Sequence, residues 1–172
     1  MSSGRADSAL RPVPRWLAPS IVLGVVLLDQ LTKIWVVAAL SDAPLSIIGT
    51  DVELHLTRNS GGAFSMFTNA TFVLALLAIG LSIFLVRAVR HARDRLTVVA
   101  LSLVLGGALG NLTDRVTRSP GFLRGEVVDF VRVGSFPSFN VADSAITIGA
   151  ILLIVATFRG TRTEPVNHEP PA

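Results

Sequence analysis

N-V-A-D-S-A-I-T-I-G-A-I-L-L-I-V-A-T-F, from Asn140 to Phe158, is an apolar run that opens on an amide and a carboxylate. A helix crosses the hydrocarbon in about 17–25 residues, so this stretch is long enough to span a membrane. Asn140, Asp143, Ser144 and Thr147 follow the i, i+3, i+4, i+7 spacing and place a polar stripe on one face of an otherwise apolar helix. An ordinary account exists for the first two. Asn140 as N-cap and Asp143 in the first turn satisfy free N–H groups and complement the helix dipole.

Working back toward the N-terminus, three more apolar segments appear: Trp16–Leu40, Ala70–Val86 and Leu96–Leu112. The chain has 172 residues, 51% of them hydrophobic, with mean hydropathy +0.62. That is too apolar for a soluble core of this size. The expected fold class is therefore mainly α and integral to the membrane, with four transmembrane helices. The first span carries Asp29, Gln30 and Lys33. These charges fall where a secretory signal peptide would keep its apolar region, so the segment reads as an uncleaved span.

Four spans put both termini on one side. Arg5, Arg11, Arg15, Arg87, Arg90, Arg93, Arg95, Arg159 and Arg162 lie on that side, against Arg58, Arg115, Arg118, Arg124 and Arg132 on the other. The positive-inside rule makes the richer side cytoplasmic. The expected layout is a cytoplasmic tail at 1–15, a membrane domain at 16–160 and a cytoplasmic tail at 161–172. Within the domain, spans fall at about 16–40, 70–89, 95–113 and 140–159, with extracytoplasmic loops 41–69 and 114–139. Val52, Leu54 and Leu56 alternate with Asp51, Glu53 and His55, the period of a half-buried strand. Glu126–Val133, between Gly125 and Gly134, reads as a second strand. A small extracytoplasmic sheet accounts for both.

Several chemistries are excluded or weakened by what is missing. The net charge of +3 comes from arginines clustered beside apolar runs, without interleaved aromatics, so nucleic acid is not an expected partner. No cysteine is present, which removes disulfides, thiolate metal sites and a cysteine nucleophile. His55, His91 and His168 are scattered and no H-E-x-x-H occurs, so no metal site is expected. Gly106, Gly107 and Gly110 lack the lysine and strand context of a phosphate loop. With Ser102 they form a small-residue seam for close helix packing.

Ionisable groups at membrane depth cost about 2.5–3.5 kcal/mol each near a helix centre, so they face a cavity or a partner. Asp29 and Lys33 sit four apart on one helical face, where a structural ion pair explains them as well as chemistry does. Asn111, Asp114 and Arg115 share a face at the end of the third span. They read equally as a helix end held by its own hydrogen bonds and ion pair. Asp129 is harder to dismiss, because an unpaired carboxylate between Val128 and Phe130 is unfavourable in an apolar strand. Two carboxylates at a poorly hydrated surface share one proton, as an aspartyl peptidase requires. By spacing alone, Asp114, Asp129 and Asp143 all remain candidates. A small transporter or ion channel using the same carboxylates, or a non-catalytic scaffold, is the alternative.

Five strings occur in order: D-Q-L-T-K at Asp29–Lys33, N-S-G-G-A-F at Asn59–Phe64, G-N-L-T-D-R at Gly110–Arg115, V-V-D-F at Val127–Phe130 and F-N-V-A-D-S at Phe139–Ser144. Together they resemble lipoprotein signal peptidases (signal peptidase II), the bacterial aspartyl peptidases of the inner membrane, over everything but the tails. The resemblance implies Asp129 and Asp143 as the catalytic pair. It implies Asn111 and Arg115 as contacts to the substrate backbone, Asp114 as an orienting group, and Asn59 and Asn140 as positioning residues. Asp29 and Lys33 match family positions with a less direct role. The implied substrate is a diacylglyceryl-modified prolipoprotein, cut before its lipidated lipobox cysteine in contact with membrane lipid. No metal or organic cofactor is implied, and a monomer is expected.

Overall fold

The computed structural model describes residues 12–49, 51–61 and 70–160. Most of both tails, and Gly62, Ala63 and Phe64 of the second string, lie outside the described residues. Four helices are long and apolar enough to cross a membrane: α1 (Leu17–Ala39), α2 (Ala70–His91), α3 (Arg95–Thr117) and α4 (Val141–Gly160). Asp94 starts α3 by accepting from the Thr97 amide at 2.8 Å.

Packing ranks the helices. Half of the most apolar window of α3 is buried within the protein, against 17% for each of the others. Accordingly α3 touches α1, α2 and α4, and the outer faces of those three are left for lipid. The small-residue seam makes this possible. A Cβ on Gly107 would lie 2.4 Å from the Ala142 carbonyl oxygen, and one on Gly110 would lie 2.7 Å from Oδ2 of Asp29. At both positions backbone and functional groups approach closer than any larger residue allows.

α3 runs to Thr117, one turn past the expected end near 113. Asp114 and Arg115 are thus inside the helix. The extension is held by Arg118, whose Nε donates to Oδ1 of Asp114 at 2.7 Å and whose amide donates to the Asp114 carbonyl at 2.9 Å. α2 likewise continues to His91.

Both expected strands form, and a third joins them. β1 (Leu45–Ile48), β2 (Val52–Asn59) and β3 (Val127–Val133) make an antiparallel sheet in the order β1-β2-β3. Val128 and Phe130 pack with Val36 and Leu40 from the end of α1, seating the sheet on the bundle. Phe139 exchanges backbone hydrogen bonds with Val131 at 2.9 and 3.0 Å, which brings the chain into α4 directly beside β3.

Candidate active site

Residues from the second half of α1, the end of α3, β3 and the start of α4 meet at one end of the bundle. They form two adjoining polar layers. The deeper one is ionic. Nζ of Lys33 lies 2.9 Å from Oδ2 of Asp29, 2.8 Å from Oδ2 of Asp114 and 3.0 Å from Oδ1 of Asn111. An ammonium has three N–H groups, and all three are used. Lys33, Asp29 and Asp114 are fully buried. The expected i, i+4 pair exists, and a second carboxylate from α3 completes it. Asp114 is therefore paired with Lys33 and Arg118, so the helix end does carry an ion pair of its own, through Arg118.

Each carboxylate of this layer reaches one element of the next. Oδ1 of Asp29 accepts from the Ala142 amide at 3.0 Å, in the first turn of α4. Oδ2 of Asp114 accepts from the Val128 amide at 3.2 Å, in β3. Ala142 directly precedes Asp143, and Val128 directly precedes Asp129. Lys33, joining the two acids, ties the backbone ahead of both remaining aspartates to one buried charge. Gln30 reinforces the link by donating to Oδ2 of Asp29 at 3.1 Å, Oδ1 of Asp114 at 3.2 Å and the Gly110 carbonyl at 3.1 Å.

In the upper layer Asn140 is the common partner. Its Oδ1 accepts from the Asp143 amide at 3.0 Å while Oδ2 of Asp143 accepts from the Asn140 amide at 3.1 Å. This is a reciprocal cap of the capping-box kind, with Asp in the third position. The ordinary helix-start account of Asp143 is thus correct as far as it goes. The Asn140 side-chain amide also donates to Oδ1 of Asp129 at 2.7 Å and to Oδ1 of Asn111 at 3.1 Å. Asn111 in turn donates to Oδ1 of Asp143 at 2.9 Å.

Asp129 owes its second partner to sheet register. Thr57 opposes Asp129 and Asn59 opposes Val127, so Asn59 is the diagonal neighbour of Asp129 on one face. Its Nδ2 donates to Oδ2 of Asp129 at 2.9 Å, and its Oδ1 accepts from the Gly61 amide at 2.8 Å. Burial pushes the Asp129 carboxyl above the usual range; the hydrogen bond from Asn59 opposes that rise and the nearby Asp143 charge adds to it. Arg115 stands beside this layer. Its Nη1 is buried with no hydrogen-bond partner among the described residues.

All nine residues singled out from the sequence therefore gather at one end of the bundle. Gln30 and Arg118 were missed. Arg118 had a signal, its i+4 spacing from Asp114. Gln30 had only its position as a polar residue in an apolar span, next to Asp29. The chemical content of the site is a pair of carboxylates bridged by one asparagine, a raised carboxyl, and an unpartnered guanidinium nitrogen.

Comparison with known proteins gives a consistent answer. The family model described as Signal peptidase (SPase) II matches residues 21–159. The lipoprotein signal peptidase of Rhodococcus jostii is 53% identical over 142 residues, 81% of this chain and 72% of that protein. That of Mycolicibacterium smegmatis is 45% identical over 98% of this chain and 72% of its own length. Among solved structures, a bacterial membrane enzyme at 32% identity superposes with a TM-score of 0.75 over 92% of this chain and 98% of that one.

Proposed function

Since the chain belongs to the signal peptidase II family, we propose that Asp129 and Asp143 are the catalytic pair of this membrane aspartyl endopeptidase, which removes signal peptides from prolipoproteins. The observation that carries the assignment is Asn140, whose side chain holds Oδ1 of Asp129 while its main chain holds Oδ2 of Asp143. Asp114, the third candidate by spacing, has its oxygens engaged by Lys33, Arg118, Gln30 and the Val128 amide. It serves as an orienting group.

The raised carboxyl of Asp129 favours a pair that shares one proton. The proton belongs to the pair. The ionised member takes a proton from water, and the resulting hydroxide oxygen bonds to the scissile carbonyl carbon. The protonated member donates a hydrogen bond to the carbonyl oxygen and then supplies the proton the departing amine needs as the C–N bond breaks. Arg115 Nη1, without a partner among the described residues, is available to a substrate backbone carbonyl. Asn111 has most of its capacity committed to Lys33, Asn140 and Asp143. One N–H is without a partner among the described residues and is offered to substrate, and the larger role of Asn111 is to hold Asp143.

The substrate carries diacylglycerol on its lipobox cysteine and is cut on the N-terminal side of that residue. The site lies at the bundle end opposite the arginine-rich α2–α3 connector, so the termini are cytoplasmic and the catalytic pair extracytoplasmic. The test is cleavage of a diacylglyceryl lipobox peptide by detergent-purified protein. Asp129→Asn and Asp143→Asn should each reduce turnover by about 10²–10⁴-fold or more with the helical spectrum and unfolding midpoint retained. Near-normal turnover in either variant would remove that residue from the pair.

A further inference from the structure

At the bundle end opposite the carboxylates, the start of α1, the end of α2 and the first half of α3 enclose a groove of about 700 Å³. That is the size range, about 300–1,000 Å³, of sites that hold small molecules. Its walls are apolar, with Val22, Val89, Val98, Leu105 and Leu109 among them, and among the described residues no acidic one lines it. Leu105 and Leu109 lie 10 and 14 residues into α3 from Arg95, or about 15–21 Å along the helix axis at 1.5 Å per residue. On α1 and α2 the lining stops at Val22 and Val86, each five residues from its helix end, about 8 Å, so only the α3 wall reaches the middle of a ~30 Å hydrocarbon layer.

Two arginines complete it. Arg15 comes from just before α1 and Arg90 from the last turn of α2. They are 75 positions apart in sequence, yet both line the same groove. Both are exposed, and neither takes part in an ion pair among the described residues. An apolar groove that opens at the helix ends beside two guanidinium groups without an ion pair among the described residues has the complementarity of one molecule, a lipid with an anionic head. Guanidinium groups match phosphate oxygens in a planar fork, and basic pockets between transmembrane helices on the cytoplasmic side take such head groups.

We infer that this groove binds a single anionic phospholipid, with an acyl chain between α1, α2 and α3 and the phosphate between Arg15 and Arg90. The leaflet is cytoplasmic under the orientation proposed above; the binding itself does not depend on that orientation. On α1 the groove ends at Val22, two helical turns before Asp29, and on α3 at Leu109, directly before Gly110, so it reaches the edge of the catalytic layer from the opposite end of the bundle, where both arginines lie.

The test is native mass spectrometry of the full chain released from detergent and titrated with phosphatidylglycerol or phosphatidylcholine. One phosphatidylglycerol should saturate at far lower concentration than phosphatidylcholine. Each arginine contributes about fivefold near an anionic head group, so Arg15→Gln with Arg90→Gln should weaken that adduct by about 25-fold. Arg93→Gln with Arg95→Gln removes the same charge from the same end without touching the groove and should leave it intact. Retained peptide cleavage in both double variants establishes that they are folded. Equal loss in both would reduce the effect to net charge and overturn the site, as would equal affinity for the two lipids. If lipid bound only after removal of residues 2–11, the occupant would be the N-terminal segment and the assignment would fall.

Discussion

Replacing Asn140 separates what holds the helix from what holds the catalytic pair. Asn140→Ala loses the cap on the Asp143 amide, about 1 kcal/mol, and leaves the buried Oδ1 of Asp129 without its 2.7 Å donor, about 1–3 kcal/mol more. A total of about 2–4 kcal/mol is expected in the unfolding midpoint measured in detergent. Asn140→Ser restores the cap, because serine is an equally good N-cap, but its hydroxyl is too short to bridge to Asp129. Stability should recover by about 1 kcal/mol and activity should not, with kcat remaining about 10²-fold down from misplaced carboxylates. The pH profile supplies an independent readout. A donor to a carboxylate favours the ionised form, and the Asn140 hydrogen bond lowers Asp129. Without it Asp129 rises further and the alkaline limb of the bell-shaped kcat profile moves to higher pH. A serine variant with wild-type kcat and an unmoved alkaline limb would refute Asn140 as the bridge.

Lys33→Met should strand Asp29 as a buried carboxylate without a cation and leave Asp114 to Arg118 alone, destabilising the protein by about 3–5 kcal/mol; adding Asp29→Asn should return part of that, and thermal unfolding of the series checks it. Gly110→Ala and Gly107→Ala push a Cβ to 2.7 Å from Asp29 and 2.4 Å from the Ala142 carbonyl, so each should cost about 1–3 kcal/mol and depress turnover, whereas Gly80→Ala, with nothing within 4 Å, should be neutral in both measurements. The activity of the unmodified enzyme should be bell-shaped in pH, and a flat profile through the acidic and neutral range would count against a shared proton.

Local pattern carried much of this architecture. Each span is a helix of apolar residues in a solvent that offers no hydrogen bonds, so its identity depends on its own sequence and little else. The alternation at Val52–Leu56 marked β2 for the same kind of reason. β1 left a weaker trace: Leu-Ser-Ile-Ile is four residues long, all exposed, and it is a strand because β2 offers it a free edge. α3 outruns its apolar stretch: apolarity stops at Leu112, while the helix continues on the Arg118–Asp114 contact.

For the site, the sequence by itself singled out the nine residues that the structure gathers at one end of the bundle, since motif strings and the polar ends of spans are properties of short stretches. It left open which carboxylates do chemistry until the family resemblance chose between them. The division of labour rests on contacts between distant segments. Lys33 meets Asp114 across 81 positions, Asp29 reaches Ala142 across 113, and Asn140 joins Asp129 to Asp143 only because Phe139 is pinned to β3. Such distances are set by how α3 packs against α1 and α4 through glycine. No local periodicity encodes them, and they turn three aspartates that spacing leaves equivalent into one paired with Lys33 and Arg118 and two bridged by Asn140.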